Sequence, residues 1–152
     1  MNTPKQKREK LVILIADDDE EDRMLTEEAL EEIQMASNLQ FVEDGEEALN
    51  YLHNSGKFTD KNKFPIPHLI LLDLNMPKKD GRDVLAEIKQ HERLKKIPVV
   101  ILTTSNSGED IRNMYSAGVN SYITKPVSYQ GMLDAMSSLK NYWFNIVSLP
   151  GE

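Results

Sequence analysis

Six residues that could bind a metal ion or act on a phosphoryl group come directly after short apolar runs of strand length. They are Asp17, Asp18 and Asp19 after the first run, Asp73 after the third, Thr103 after the fourth and Lys125 after the fifth. Carboxylates that gather in one place repel one another unless a cation neutralises them. Because all of their ligand atoms are oxygens, such a group favours a hard ion such as Mg²⁺.

An aspartate beside such an ion can act as a nucleophile toward phosphorus and form an acyl phosphate. The ion, a lysine ammonium and a hydroxyl would then hold the transferred oxygens, because phosphoryl transfer depends mainly on positioning and charge stabilisation. Asp73, Lys125 and Thr103 have the required side chains, so we expect them to share this chemistry.

The hydrophobic pattern around these residues predicts five units, each a strand followed by a helix. The predicted strands are 11–16, 39–42, 68–72, 99–102 and 121–124. The predicted helices are 22–34, 46–52, 81–91, 108–117 and 128–144, each with apolar residues at helical spacing. Segment 53–67 is polar and contains two prolines, which predicts a surface loop.

Alternating strands and helices without an internal repeat predict a parallel sheet with helices on both faces, joined by right-handed crossovers. In such sheets the ligand site lies beyond the carboxyl ends of the strands. We therefore expect the residues that follow the predicted strands to converge in space.

Composition limits the functions open to the chain. At 152 residues there is room for one compact domain, and the formal charge of −7 disfavours binding to nucleic acid or anionic membrane. Cysteine is absent, which excludes disulfides and thiolate chemistry and suits a reducing, cytoplasmic compartment. The basic residues of segment 1–10 precede an apolar run too short for a signal peptide, and no stretch approaches the ~20 apolar residues of a membrane span.

The motifs at the strand ends resemble those of response-regulator receiver domains, and the resemblance extends through nearly the whole chain. They are Asp17-Asp18, Asp73 in LLDLNMPKKDG, Thr103 in VVILTTS, and Tyr122 with Lys125-Pro126 in SYITKP. The resemblance implies a flavodoxin-like (βα)5 doubly wound parallel sheet with strand order 2-1-3-4-5. It also implies one receiver domain over 1–152, with a basic arm at 1–10 and a C-terminal tail at 145–152.

The resemblance also implies a role for each matching residue. Asp73 would be the phosphoacceptor, and Asp18 and Asp73 would ligate Mg²⁺ directly, with Mn²⁺ as an alternative ion. Asn75 would add its backbone carbonyl as a ligand, and Asp17 would act through water. Lys125 would contact the phosphoryl group, and its bond to Pro126 would be cis.

Further residues would form the conformational switch of the family. Thr103 would bond the phosphoryl oxygen after transfer, and Tyr122 would then change rotamer. Asn75 and Ser105 would tune the lifetime of the phosphoryl group. These changes would alter the surface formed by the last two strand-helix units.

The implied function is that of a stand-alone response regulator in a two-component phosphorelay, and not of an enzyme beyond self-phosphorylation and slow autodephosphorylation. Its partner would be a sensor histidine kinase or a phosphotransfer protein. A homodimer through the fourth helix, fifth strand and fifth helix is an alternative output. The loop 53–67, the TTS sequence at 103–105 and the tail YWFNIVSLP resemble small single-domain regulators of phytochrome-like and related hybrid sensor kinases in particular.

Other functions are weaker matches to the residues. A phosphatase of the haloacid-dehalogenase type would use Asp17-x-Asp19, but it would leave Asp73 without a task and lacks an acidic pair after Lys125. A flavin or dinucleotide binder would need a glycine-rich fingerprint after the first strand, and none is present. A receiver that serves only as an unphosphorylated docking scaffold is a third alternative.

Several polar residues are interpreted as structural. We expect Asp19 and Glu20 to face solvent and Asp22 to stabilise a helix N-terminus, because acidic residues favour that end of a helix. The three histidines show no ligand spacing and are also interpreted as structural; they are His53, His68 and His91. Trp143 and Phe144 are expected to pack against the domain, with a dimer or kinase contact as the alternative.

Overall fold

A five-stranded parallel sheet forms the centre of the protein, in a computed structural model that describes residues 11–35 and 38–146. The strands are β1 Val12–Ala16, β2 Asn38–Val42, β3 Leu69–Leu72, β4 Val99–Thr103 and β5 Ser121–Thr124. The helices are α1 Glu20–Glu32, α2 Gly45–Leu52, α3 Gly81–Gln90, α4 Gly108–Ser116 and α5 Tyr129–Ile146. Short 3-10 turns lie at Gly56–Phe58 and Leu94–Lys96.

The strand order β2-β1-β3-β4-β5 confirms the flavodoxin-like architecture predicted for the sequence. Most helix and strand boundaries lie within two residues of the predicted ones. Helix α1 begins at Glu20 rather than at the predicted residue 22, because the Asp19 carboxylate caps it by accepting a hydrogen bond from the Asp22 N–H. Helix α5 extends to Ile146, two residues into the predicted tail. The predicted arm at 1–10 and the rest of the tail lie outside the described residues, as do the side chains of Trp143 and Phe144.

Two apolar cores lie on opposite faces of the sheet. Alternate residues of β1 face α1 and α5 on one side and α2 and α3 on the other: Ile13 and Ile15 belong to the first core, and Leu14 and Ala16 to the second. Both sets are at most 1% exposed, so every side chain of β1 is buried. This two-sided burial is the physical reason for the continuous aliphatic run, since no position of the strand faces water.

The predicted surface loop at 53–67 is anchored more firmly than its composition indicates. Phe58 is buried, and its ring lies 5.3 Å from that of Tyr51 and 5.0 Å from that of Phe64. The Tyr51 hydroxyl donates to the carbonyl of Pro65 at 2.7 Å, and Asn54 Nδ2 donates to the carbonyls of Phe58 and Phe64. Aromatic residues that are scattered along this segment therefore form a small core, which the average polarity of the segment does not indicate.

Candidate functional site

The register of the sheet brings the predicted site residues to one edge. Ala16 pairs with Leu72, so Asp17 and Asp73 leave β1 and β3 at the same level. Thr103 pairs with Thr124, and the N–H of the next residue, Lys125, donates to the Thr103 carbonyl at 2.7 Å. Asp17, Asp73, Thr103 and Lys125 therefore lie at one edge of the sheet, as predicted.

Lys125 is the centre of the acidic part of this edge. Its side chain is only 6% exposed, and its Nζ lies 2.8 Å from Asp17 Oδ2, 2.7 Å from Asp22 Oδ2 and 3.0 Å from Asp73 Oδ2. An ammonium has three N–H donors, so these three carboxylates saturate it. We call Asp17, Asp18, Asp22, Asp73 and Lys125 the acceptor cluster.

The electrostatics of the acceptor cluster follow from burial and from an excess of negative charge. Burial raises the pKa of the Asp17 carboxyl to about 6, although hydrogen bonds from Lys125 and from the Asp19 N–H act in the opposite direction. Burial alone would lower the pKa of Lys125, but its hydrogen bonds to Asp17 and Asp22 raise that pKa above its usual value. Lys125 therefore stays charged, while Asp17 is short of compensating positive charge.

A divalent cation would supply that missing charge. Carboxylate oxygens of Asp17, Asp18 and Asp73 lie within 4.8 Å of one another, which makes this group a candidate metal site. With Asp22, the acceptor cluster holds four carboxylates but only one ammonium, that of Lys125. The donors are all oxygens and Asp18 is exposed to solvent, so the group fits a hard ion that keeps several waters.

The loop after β3 holds the acceptor candidate close to the backbone of α3. Gly81 is required there, because a Cβ at this position would lie 2.1 Å from the Asp73 carbonyl oxygen. The Gly81 N–H also donates to the carbonyl of Leu74 at 2.8 Å. Asn75 is exposed, and its N–H donates to Asp73 Oδ1 at 3.3 Å. Residues 73–81 (DLNMPKKDG) therefore form a compact loop, in which Gly81 contacts the backbone of Asp73.

Thr103 is fully buried, yet its hydroxyl has no hydrogen-bond partner among the described residues. A buried hydroxyl without a partner is costly, and such groups are rare in native proteins. Its carbonyl accepts a hydrogen bond from the N–H of Lys125, whose ammonium binds Asp73. The unpaired Oγ1 is therefore a candidate donor to a ligand oxygen at this edge of the sheet.

Tyr122 pairs with Ile101 in the sheet and is half-buried against the core that contains α2 and α3. Its hydroxyl donates to the carbonyl of Ser105 at 2.8 Å, and the Ser105 hydroxyl donates to Asp110 Oδ2 at 2.7 Å. The predicted switch residue thus contacts one of the predicted lifetime-tuning residues directly.

An arginine that the sequence analysis did not single out completes this second group. Arg82 Nε and Nη2 donate to the two carboxylate oxygens of Asp110 at 3.2 and 2.8 Å, and Nη1 donates to Asp80 at 2.9 Å. Hydrogen bonds from Ser105 and Arg82 lower the pKa of Asp110 below its usual value. We call Arg82, Ser105, Asp110 and Tyr122 the switch network; it links the first turns of α3 and α4 to β5.

The structure corrects two details of the sequence analysis. Asp22 does more than stabilise the N-terminus of α1, because its carboxylate binds Lys125. The Lys125–Pro126 peptide bond is trans, not cis. The trans form is favoured by about 0.5–1 kcal/mol for an X-Pro bond, and such a small preference leaves the local context to decide. Asp19, expected to face solvent, is exposed but also caps α1.

The histidines make contacts that agree with a structural role. His68 Nδ1 accepts a hydrogen bond from the Val12 N–H at 3.0 Å, and burial lowers the pKa of this imidazole. His91 Nδ1 accepts from the N–H groups of Arg93 and Leu94, and its ring packs edge-on against that of His53.

A doubly wound sheet with an acidic edge, a buried lysine and a strand-terminal threonine defines a phosphoryl-accepting class of signalling module. The chain belongs to the response regulator receiver domain family, which matches it over residues 13–137. This membership excludes the phosphatase and dinucleotide-binding alternatives. None of the helices in the described ranges is both long and apolar enough to cross a bilayer.

Among known proteins, the chain is 41% identical to response regulator Rcp1 of Synechocystis sp. over 139 residues, which cover 91% of this chain and 92% of Rcp1. The Mn²⁺-bound crystal structure of Rcp1 superposes with a TM-score of 0.82 over 93% of this chain and 99% of that one. The phosphorylated cyanobacterial phytochrome response regulator RcpA gives a TM-score of 0.84 at 39% identity, over 93% and 99% of the two chains. The probable methanogenesis regulatory protein FilR2 of Methanothrix harundinacea is 39% identical over 92% of this chain and 88% of its own.

Proposed function

We propose that Asp73 accepts a phosphoryl group from the phosphohistidine of a sensor kinase or phosphotransfer protein. The observation that carries this proposal is the hydrogen bond of 3.0 Å between Lys125 Nζ and Asp73 Oδ2, beside two further carboxylates that can hold a cation. A carboxylate oxygen of Asp73 would attack phosphorus, the P–N bond of the phosphohistidine would break, and an acyl phosphate would form. Lys125 and Thr103 would hold the transferred oxygens.

Mg²⁺ is the proposed cofactor, with Mn²⁺ as a substitute. Asp18 and Asp73 would be the direct ligands, together with the Asn75 carbonyl, while Asp17 would act through water. When bound, the ion would neutralise negative charge on the transferred group. The all-oxygen ligand set supports the fit, because carboxylate oxygens of Asp17 and Asp18 lie beside those of Asp73. The Mn²⁺-bound form of Rcp1 is further support.

The proposed output is a change of binding surface. Thr103 would bond the phosphoryl oxygen, and the switch network at Ser105 and Tyr122 would respond, which is a population shift biased by one covalent charge. Asn75 and Ser105 would set how long the phosphoryl group survives. Residues 1–152 would act as one receiver domain in the cytoplasm, without nucleic-acid or membrane partners and without enzymatic turnover beyond self-phosphorylation and slow autodephosphorylation.

The cognate partner is proposed to be a histidine kinase of the phytochrome-like or related hybrid class. The similarity to RcpA, which is a phytochrome response regulator, supports this choice. The alternative partner is a second copy of this chain, with which it would form a homodimer. A groove of about 420 Å³ between β5 and α5, lined by Tyr122, Ile123, Leu139 and Tyr142, supports it. Size-exclusion chromatography with and without fluoroberyllate tests the dimer, and an unchanged monomer would discard it.

Intact mass spectrometry tests the proposed chemistry most directly. Wild-type protein incubated with Mg²⁺ and acetyl phosphate should gain one phosphoryl adduct, and the adduct should be lost without Mg²⁺ and in Asp73→Asn. The matched control is Asp83→Asn, which removes an exposed carboxylate from α3 and should leave the adduct intact. If wild type forms no adduct and does not bind fluoroberyllate, a docking scaffold replaces the proposal.

A further inference from the structure

Asp22 differs from the other two carboxylates that bind the Lys125 ammonium. Asp17 and Asp73 both belong to the group that can hold a cation, whereas Asp22 does not. A cation or a phosphoryl group at the site would therefore compete with Lys125 for Asp17 and Asp73. Asp22 Oδ2, at 2.7 Å, is the acceptor that stays available to the ammonium in either case.

The backbone of Asp22 is held firmly enough to position its carboxylate. Asp22 lies in the first turn of α1, where its N–H donates to Asp19 Oδ1 at 3.1 Å. Its carbonyl accepts from the hydroxyl of Thr26, which is 1% exposed. The Asp22 side chain itself is 28% exposed, so it can turn toward Lys125 without burying an uncompensated charge. The first turn of a helix also stabilises a carboxylate.

We propose that Asp22 is a positioning residue that keeps the Lys125 ammonium aimed at the phosphoryl site while Asp17 and Asp73 exchange their partners. The proposal rests on the proposed function, since it assumes that Asp73 is phosphorylated. It differs from a competing role, in which Asp22 would draw Lys125 away from the phosphoryl group. Positioning predicts slower phosphorylation when Asp22 is removed, and competition predicts faster phosphorylation.

The test compares Asp22→Asn with Glu21→Gln, which removes an exposed charge from the same turn of α1. Phosphorylation by acetyl phosphate with saturating Mg²⁺ should slow about tenfold in Asp22→Asn, the effect expected for one charge-assisted hydrogen bond, and should be unchanged in Glu21→Gln. The affinity for fluoroberyllate should fall by a similar factor. Mg²⁺ affinity, measured by calorimetry, should stay within about twofold, because Asp22 is not in the metal group.

A double-mutant cycle separates an action through Lys125 from a general effect. Asp22→Asn should slow phosphorylation in the wild-type background but have no further effect in Lys125→Gln, because the group it positions is then missing. Asp22→Glu, which keeps the charge, should recover most of the rate. Recovery also shows that the first turn of α1 tolerates substitution.

The inference is overturned if Asp22→Asn reacts as fast as Glu21→Gln, if it reacts faster than wild type, or if it slows Lys125→Gln by the same factor. These results are distinct from failure of the proposed function. In that case wild type itself would form no adduct, and both proposals would fall together. An adduct on wild type with an unaffected Asp22→Asn would remove this inference alone.

Discussion

The acceptor cluster and the switch network occupy neighbouring parts of the same sheet edge but satisfy their polar groups in opposite ways. The acceptor cluster contains four carboxylates and one ammonium, which binds three of them. In the switch network, the Arg82 guanidinium is paired with Asp110 and Asp80, and the hydroxyls of Ser105 and Tyr122 both donate. The acceptor cluster therefore lacks positive charge, whereas the side chains of the switch network satisfy one another's charges and hydrogen bonds.

Thr103 connects the acceptor cluster to the switch network through its backbone, but its side chain is satisfied by neither. Its backbone carbonyl binds the Lys125 N–H, and its neighbour two residues on, Ser105, belongs to the switch network. Its own hydroxyl is buried without a partner among the described residues. A ligand that brings positive charge and oxygen acceptors would therefore complete the acceptor cluster and Thr103 together.

The largest expected effect concerns the charge deficit of the acceptor cluster. Mg²⁺ at about a hundred times its dissociation constant should stabilise the folded protein by about 2.7 kcal/mol, because the ion binds the native state alone. Urea unfolding with and without Mg²⁺ measures this shift. Asp18→Asn should abolish most of it, whereas Glu20→Gln, which removes an exposed charge from the start of α1, should preserve it. Equal shifts in the two variants would mean that the ion binds elsewhere.

A smaller effect is expected from the closed switch network. The forked Arg82–Asp110 contact joins two partly exposed groups, so a double-mutant cycle with Arg82→Gln and Asp110→Asn should give a coupling energy of about 1 kcal/mol. The measurement is again urea unfolding, with Arg112→Gln on α4 as the exposed control. The coupling should be the same with and without Mg²⁺. A coupling that depends strongly on Mg²⁺ would show that the two regions are not independent in the unphosphorylated protein.

The smallest expected effect on stability is that of Thr103→Val, because the buried hydroxyl has no partner to lose. Removing an unsatisfied hydroxyl at nearly constant shape should change the free energy of unfolding by less than about 1 kcal/mol and can stabilise the protein. The same variant should lose the response of the switch network to phosphorylation, which fluoroberyllate-induced NMR shifts at Ser105 and Tyr122 would report. A large loss of stability would mean that Thr103 has a bonded partner in solution, such as water.

Much of the acceptor cluster could be predicted, because the relevant residues follow apolar runs. Asp17, Asp73 and Lys125 each follow a strand that hydrophobicity identifies, and a parallel sheet must bring those strand ends together. The role of Asp22 could not be predicted in this way. Its partner Lys125 lies 103 residues further along the chain, and an acidic residue in a first helical turn already has a sufficient local explanation.

The contacts of the switch network were even harder to predict from the sequence. Arg82 and Asp110 lie 28 residues apart in the first turns of different helices, and nothing in either helix indicates a contact. The aromatic cluster of Tyr51, Phe58 and Phe64 was also hidden, since its members are separated by polar residues and prolines. In both cases the contact depends on how two segments cross in space.

The five strand-helix units, their parallel arrangement and the residues at the carboxyl edge could all be predicted from the sequence, because periodicity and strand ends are local properties of the chain. The packed fold was needed to show which carboxylates bind the Lys125 ammonium and that Arg82 binds Asp110. It was also needed to show that the Thr103 hydroxyl has no partner within 11–35 and 38–146. Hydrogen bonds require donor and acceptor to lie within about 3 Å at a suitable angle. These distances and angles are set by how distant segments pack against each other, so the hydrophobic pattern of a single segment does not contain them.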